Sequence, residues 1–227
     1  MPSEFALIAR HFARFTRHTE LGVGDDAALI RPREGMEIAI STDMLVDGTH
    51  FLANTDPRRL GWKTAAVNFS DIAAMGGEPR WITLALALPA ANEAWVGAVA
   101  DGFAECCSHF GVDWIGGDTT RGPLNLCATV FGEIPAGEAI RRGGALAGDD
   151  IWISGAPGLA ALGLDQLLDR KVLAGEWQQR CRDALEKPQP RIALGLALRA
   201  HVHAMLDVSD GLTGDLGVAG APCQWAE

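Results

Sequence analysis

The sequence predicts an α/β protein that is built in two parts. Predicted helices and strands alternate from the N-terminus to about residue 131. Hydrophobic residues make up 48% of the chain and charged residues 21%, which fits a globular protein with a real core. A segment rich in glycine and charge, residues 135–148, separates this region from a second set of elements.

The predicted helices have recognisable start and stop signals. Asp56 and Pro57 begin one helix, because proline is favoured at the first helical position, and Gly76 ends it. Asn92 can cap the next helix, which ends before Gly111. Further helices are expected after Ser3, after Gly158 and over residues 192–198.

The predicted strands are short apolar runs. They cover residues 38–41, 81–88, 112–115, 124–131, 150–154 and 205–208. Residues 81–88 are apolar almost throughout, which is typical of a strand buried on both faces. The run at 112–115 is expected to lead into a glycine turn, Gly116-Gly117-Asp118-Thr119-Thr120.

Composition excludes several classes of function. The formal net charge of -10 argues against a surface for nucleic acid or anionic membranes. The five cysteines are odd in number and form no C-x-x-C, so neither a disulfide framework nor a zinc site is supported. Since the sequence shows no signal peptide and no apolar run of transmembrane length, the expected compartment is the cytoplasm.

Aspartates recur along the chain, most of them at strand ends or glycine turns. If they converge, two carboxylates about 4 Å apart repel by roughly 4 kcal/mol at an effective dielectric constant near 20, so cations or raised pKa values are needed. Oxygen ligands without a His/Cys cluster favour Mg²⁺ or Ca²⁺ over zinc, and the spacing does not fit an EF-hand. The candidates are Asp26, Asp43, Asp71, Asp118, Asp207 and Asp210.

The Gly116–Thr120 stretch has two interpretations. Glycines let backbone N–H groups approach an anion, and Asp118 could hold a hard cation, but an ordinary Gly-Asp turn fits equally well. The sequence has no P-loop motif and no protein-kinase signature. Arg142 could contact a phosphate through its forked donors, or could belong to a solvated surface pair with Arg141.

Six short motifs follow one another along the chain: Gly24-Asp25-Asp26-Ala27, Ser41-Thr42-Asp43, His50-Phe51, Asn68-Phe69-Ser70-Asp71-Ile72-Ala73-Ala74-Met75-Gly76, Gly116-Gly117-Asp118-Thr119-Thr120 and Asp207-Val208-Ser209-Asp210-Gly211-Leu212. Each motif alone is weak, but their order and spacing are specific. Together they resemble the thiamine-monophosphate kinase family, whose wider superfamily includes aminoimidazole-ribonucleotide synthetase and selenophosphate synthetase. The match runs to about Gly217.

The resemblance implies ATP-dependent phosphorylation of thiamine monophosphate to thiamine diphosphate. It implies several magnesium ions held by Asp26, Thr42, Asp43, Asp71, Asp118, Asp207 and Asp210. It also implies that Gly117, Asp118, Arg142 and Ser209 contact ATP and that His50 contacts the substrate. The implied fold is an α/β N-terminal domain with a mixed sheet flanked by helices, residues 1–135, followed by an α+β domain, residues 136–227, with homodimers formed through the N-terminal sheets.

The implied chemistry needs no protein nucleophile and no general base. The acceptor is a phosphate that is largely anionic at neutral pH, so the task is to bring two anions together. His50 is therefore interpreted as a binding residue.

The family pattern continues well beyond Gly217, whereas residues 218–227 do not resemble it, so the second domain is expected to be incomplete. A Mg-nucleotide-binding protein without turnover and another enzyme of the superfamily are the alternative functions.

Overall fold

The computed structural model describes residues 8–90 and 92–218. The predicted cap Ser3, Cys223 and tail residues 219–227 lie outside these ranges. Within them, no helix is long and apolar enough to cross a membrane.

A four-stranded mixed sheet forms the centre of the fold. A π-helical turn, Ile8–Phe12, and an antiparallel pair, β1 Thr19–Leu21 and β2 Leu29–Ile30, precede it. The sheet strands are β3 Met36–Val46, β4 Glu78–Leu88, β5 Asp113–Arg121 and β6 Asn125–Pro135, in the order β3-β6-β4-β5. β6 runs antiparallel to both neighbours, and β4 and β5 are parallel.

Two long helices, α1 Pro57–Ala74 and α2 Glu93–Phe110, supply side chains to the core beside the sheet. Their predicted signals are confirmed. Asp56 Oδ1 accepts the Arg59 N–H at 2.9 Å, and Asn92 Oδ1 accepts the Trp95 N–H at 3.2 Å. Gly111 ends α2 in the left-handed conformation, with φ 70°.

Within the described residues, α1 covers one face of the sheet and no helix covers the other. Strand alternation places Leu45, Leu84 and Leu126 on the covered face, where they join the buried core with side chains of both helices. The opposite face carries Ile40 and Met44, which are 61% and 53% exposed. The sheet thus has one packed face and one open face.

The Gly116–Thr120 stretch is part of a strand, so the prediction of a glycine turn there is wrong. β5 runs without a break to Arg121 and pairs with β4 beyond a bulge near Ile115. A Cβ on Gly117 would lie 1.8 Å from the Leu84 carbonyl oxygen, and the φ of Gly117 is 155°. Glycine is therefore needed here for close strand packing.

The second part contains α3 Leu159–Leu167, a helix α4 Glu176–Glu186, α5 Ile192–Leu198 and α6 Leu212–Val218. The helices predicted after Gly158 and over residues 192–198 are confirmed. The strands predicted at 150–154 and 205–208 are wrong, since both segments are irregular and residues 136–218 contain no strand.

The later helices pack against α1. The Trp62 indole N–H donates to the Pro188 carbonyl at 2.9 Å, and the Lys187 ammonium lies 4.2 Å from the centre of the Trp62 ring. A Cβ on Gly195 would lie 2.2 Å from the Ala73 carbonyl oxygen, so α5 approaches α1 very closely. α1 is consequently held between the sheet and the second part.

Candidate functional site

Three of the predicted aspartates gather around α1. Asp43 lies on β3, Asp71 near the end of α1, and Asp207 on the irregular segment before α6. The Ser41 hydroxyl donates to Asp71 Oδ2 at 2.5 Å, which joins β3 to α1. Ser70 on α1 lies close enough to Asp207 to oppose the rise in its pKa, so α1 and the second part meet at this acid.

Burial and mutual repulsion disfavour the charged forms of these acids. Desolvation raises the pKa of Asp43, and the Asp71 carboxylate raises it further, against an opposing effect of His50. Desolvation, followed by Asp71, raises the pKa of Asp207 to about 6, and Asp43 and Asp215 add to the effect. The cluster therefore concentrates negative charge where water is partly excluded.

The local donors fit a hard cation. Asp43, Asp71, Asp207 and the serine hydroxyls offer oxygen atoms only, and a divalent ion would relieve the repulsion that raises the pKa values. Within residues 8–90 and 92–218, however, no three His, Cys, Asp or Glu side chains are already close enough to hold one ion.

β3 and α1 hold Asp43 at the sheet edge. β3 is an edge strand, so the outward N–H groups on it need other partners. Asn68 Oδ1 accepts the Asp43 N–H at 3.2 Å, while the Asn68 amide group donates to the Thr64 carbonyl at 2.9 Å. Asn68 is fully buried, so it fixes the backbone that carries Asp43.

Thr42 and Asp118 occupy the open face of the sheet. Thr42 pairs with Thr129, and their hydroxyls are 2.9 Å apart. Asp118 pairs with Ala85, and both are exposed. Strand alternation directs these side chains away from the face that α1 covers. The structure therefore does not bring Thr42 and Asp118 together with Asp43 and Asp71.

Asp26 lies in an exposed turn that follows a firmly anchored segment. The buried carboxylate of Asp113 accepts N–H groups of Arg17 and His18 and the Thr19 hydroxyl, at distances from 2.6 to 2.9 Å. Asp25 Oδ1 accepts the Asp26 N–H at 2.8 Å. The anchor fixes the start of the glycine turn and leaves the Asp26 side chain exposed.

The remaining predicted contacts are also exposed. Arg142 begins a 3₁₀ turn, Arg142–Gly144. Asp215 Oδ2 accepts the Ser209 N–H at 3.1 Å and the Gly211 N–H at 3.2 Å, so Ser209 and Asp210 lie in a turn that α6 holds. This turn follows Asp207 directly.

His50 lies in a compact turn beside the acids. Its Nδ1 accepts the Val46 N–H at 3.0 Å, and its carbonyl accepts the Lys63 ammonium at 2.9 Å. His50 is close enough to Asp43 for its charge to oppose the rise in the Asp43 pKa.

The sequence-based prediction did not include Lys63, and it quoted Ser41 and Ser70 within motifs without assigning either a role. Ser70 adjoins Asp71, and Lys63 lies two helical turns before it, so helical spacing was the available signal.

Known proteins provide an independent comparison. Residues 24–134 match the family model described as AIR synthase related protein, N-terminal domain. The chain is 46% identical over 221 residues to the thiamine-monophosphate kinase of Escherichia coli strain K12. The aligned region covers 94% of this chain and 67% of that protein.

The chain belongs to the thiamine-monophosphate kinase family.

Solved structures of thiamine-monophosphate kinases share the fold. The enzyme from Stenotrophomonas maltophilia K279a aligns with a TM-score of 0.83 and 45% identity, over 94% of this chain and 68% of that one. A structure described as AaThiL complexed with AMPPCP and TMP aligns with a TM-score of 0.77 and 29% identity, over 87% of this chain and 63% of that one. This chain thus spans about two thirds of these family members.

Proposed function

We propose that the protein transfers the terminal phosphoryl group of ATP to thiamine monophosphate, giving thiamine diphosphate. The observation that carries the proposal is the 46% identity to a thiamine-monophosphate kinase across 94% of the chain. A family relative that was solved with AMPPCP and TMP supports a pair of phosphate-bearing ligands. The raised pKa values of Asp43 and Asp207 support a site built for cations.

Asp43, Asp71 and Asp207 are the proposed centre of the magnesium site, because they already interact around α1. Asp26 and Asp210 are proposed to join these magnesium ions when nucleotide is present, and the open-face residues Thr42 and Asp118 are proposed to hold further magnesium ions. Bound magnesium would neutralise charge between the two phosphates and favour in-line transfer.

The nucleotide is proposed to contact Gly117, Asp118, Arg142 and Ser209. β5 presents Gly117 and Asp118 on rigid backbone, whereas Arg142 and Ser209 lie in exposed turns of residues 136–218. His50 is proposed to bind the thiamine monophosphate, with no residue acting as nucleophile or general base, because the acceptor phosphate is already anionic. The cytoplasm, where ATP is supplied, is the proposed compartment.

Asp71→Asn tests the proposal most directly. Asp71 couples to both other acids, so its loss should lower kcat/KM for thiamine monophosphate by roughly a hundredfold. The measurement is formation of thiamine diphosphate from ATP and thiamine monophosphate with magnesium. Asp165→Asn, on α3 with ion-pair partners Arg170 and Lys171, is the matched control and should retain full activity.

The same assay on the wild-type protein distinguishes a kinase from a protein that binds the nucleotide without turnover. Binding of Mg-AMPPCP measured by calorimetry, together with no thiamine diphosphate, would reject the kinase and support that alternative. Thiamine diphosphate formation at wild-type rates by Asp71→Asn would reject the proposed magnesium site.

A further inference from the structure

The turn that carries His50 closes on itself through backbone hydrogen bonds. The His50 N–H donates to the Val46 carbonyl at 2.9 Å, and the Gly48 N–H donates to the Phe51 carbonyl at 2.9 Å. Gly48 has φ 75°, which glycine adopts without strain. Phe51 is buried in the core, so the end of the turn is fixed to the α1 side of the sheet.

A backbone donor determines which tautomer the His50 ring adopts. Nδ1 accepts the Val46 N–H at 3.0 Å, so Nδ1 carries no proton in this turn. In a neutral imidazole the other nitrogen then bears the hydrogen. The ring therefore offers a single donor, Nε2–H, and no competing acceptor at that position.

Lys63 holds this turn from α1. Its ammonium donates to the His50 carbonyl at 2.9 Å, and the side chain is largely buried. Desolvation lowers the pKa of Lys63, with an opposing contribution from Glu186 on α4. A lysine placed against a backbone carbonyl in such surroundings is costly for a purely structural contact, because a neutral donor would serve the same carbonyl.

We propose that Lys63 is a positioning residue for substrate binding, which holds the 46–51 turn so that His50 presents only Nε2–H to a phosphate oxygen of the acceptor. The proposal rests on the proposed function for the identity of that acceptor. The His50 carbonyl links the two side chains: α1 fixes the ammonium, the ammonium fixes the peptide, and the peptide sets the position of the ring relative to the Val46 N–H.

The first test reads the tautomer without any substrate. The protein is labelled with ¹⁵N-histidine and observed by NMR at pH 8. Wild-type His50 should show an unprotonated Nδ1 and a protonated Nε2. The His50 signals are assigned by their loss in His50→Gln. Lys63→Met, which keeps the aliphatic stem, should give a tautomer mixture. Lys63→Arg should retain the wild-type pattern, because it keeps a charged donor.

Lys171→Met is the matched control, since Lys171 lies after α3 and contacts Asp165. It should leave the His50 signals unchanged. If Lys63→Met does not reach a folded state by circular dichroism, Lys63→Gln replaces it, because the shorter amide stops short of the His50 carbonyl. A single wild-type tautomer in the folded Met or Gln variant would overturn the proposal.

The second test measures substrate binding. Lys63→Met should raise the KM for thiamine monophosphate about tenfold, as expected when the charge-assisted hydrogen bond from His50 Nε2–H to the phosphate is lost. It should change the KM for ATP less than twofold. Lys63→Arg should restore most of the affinity. An altered tautomer with an unchanged KM for thiamine monophosphate would overturn the positioning role. A wild-type protein without kinase activity would reject the proposed function, and the NMR result would still decide whether Lys63 holds His50.

Discussion

Asp207 shows how one residue can report on the whole acidic cluster. Its carboxyl group is partly buried beside Ser70, and it faces the charge of Asp71 and Asp43. Burial and these neighbouring charges raise the free energy of its charged form, and the pKa of Asp207 rises to about 6. In metal-free protein, that free energy is taken from folding stability.

Asp207→Asn should stabilise the metal-free protein at pH 7. The folded-state pKa of about 6 lies above the ordinary aspartate pKa of 3.8, so the folded state binds more protons between these limits. The Asp207 contribution to stability is thus complete below pH 4 and is lost as pH rises through 6. After a discount for solvent screening, the gain in the free energy of unfolding at pH 7 should be about 1–2 kcal/mol.

Urea unfolding in EDTA at pH 4 and pH 7 measures this difference. The Asn variant should match wild type at the lower pH and exceed it at the higher pH. Asp210→Asn, an exposed neighbour on the same segment, is the control and should change stability little at either pH. A wild-type protein more stable than Asp207→Asn at pH 7 would contradict the prediction.

At the scale of the element, β5 explains why the glycines of the Gly116–Thr120 stretch are not equivalent. Gly117 packs its backbone against the Leu84 carbonyl of the parallel neighbour, with no room for a side chain. Gly116 has open space where a Cβ would be placed. The strand therefore depends on the second glycine.

Gly117→Ala should lower the free energy of unfolding by about 3 kcal/mol or prevent folding, because the new Cβ must displace β5 from β4. Gly116→Ala should cost less than about 1 kcal/mol, since it meets no atom within 4 Å. Thermal unfolding of the pair measures the difference. Similar melting temperatures for the two variants would count against the close packing of Gly117 on the Leu84 carbonyl.

Local signals predicted several elements well. Asp56, Asn92 and Gly111 act through bonds to their own neighbours, and all three ends were correct. β5 was misread because Gly-Gly-Asp favours turns locally, whereas the parallel partner β4 makes it a strand. Residues 151–153 are apolar but exposed and unpaired with any strand in the described chain, because strand formation depends on a partner that periodicity does not reveal.

The site was predicted in part for the same reason. Asp43, Asp71 and Asp207 were identified individually, but their convergence depends on α1 crossing beside β3. Strand register decides which face of the sheet each side chain occupies. It places Thr42 and Asp118 on one face and Asp43 on the other. A role for Lys63 was not predicted, because a single lysine on a helix is usually solvated.

For the molecule as a whole, the open face of the sheet is an exposed apolar surface that could pack against another protein surface. Ile40 and Met44 are exposed on β3, and the neighbouring positions Cys127 and Phe131 on β6 are only partly buried. An open apolar sheet face favours association with a matching apolar surface. We propose that this face forms a homodimer.

Ile40→Lys should convert the dimer to a monomer, because each two-fold interface would bury two charges. Analytical ultracentrifugation at micromolar concentration gives the mass. Val172→Lys, a similar change at a residue that is 96% exposed outside the sheet, should leave the dimer intact. A monomeric wild-type protein would reject this interface.

The irregular segment around Asp207 has a consequence for local stability. β4 and β6 lie within the core, so their amides should exchange with solvent only through global unfolding. Residues 201–211 have no regular structure, so they can open at a small fraction of that free energy. The segment that carries Asp207 should therefore open far more often than the core strands, so the acidic cluster can lose Asp207 without global unfolding.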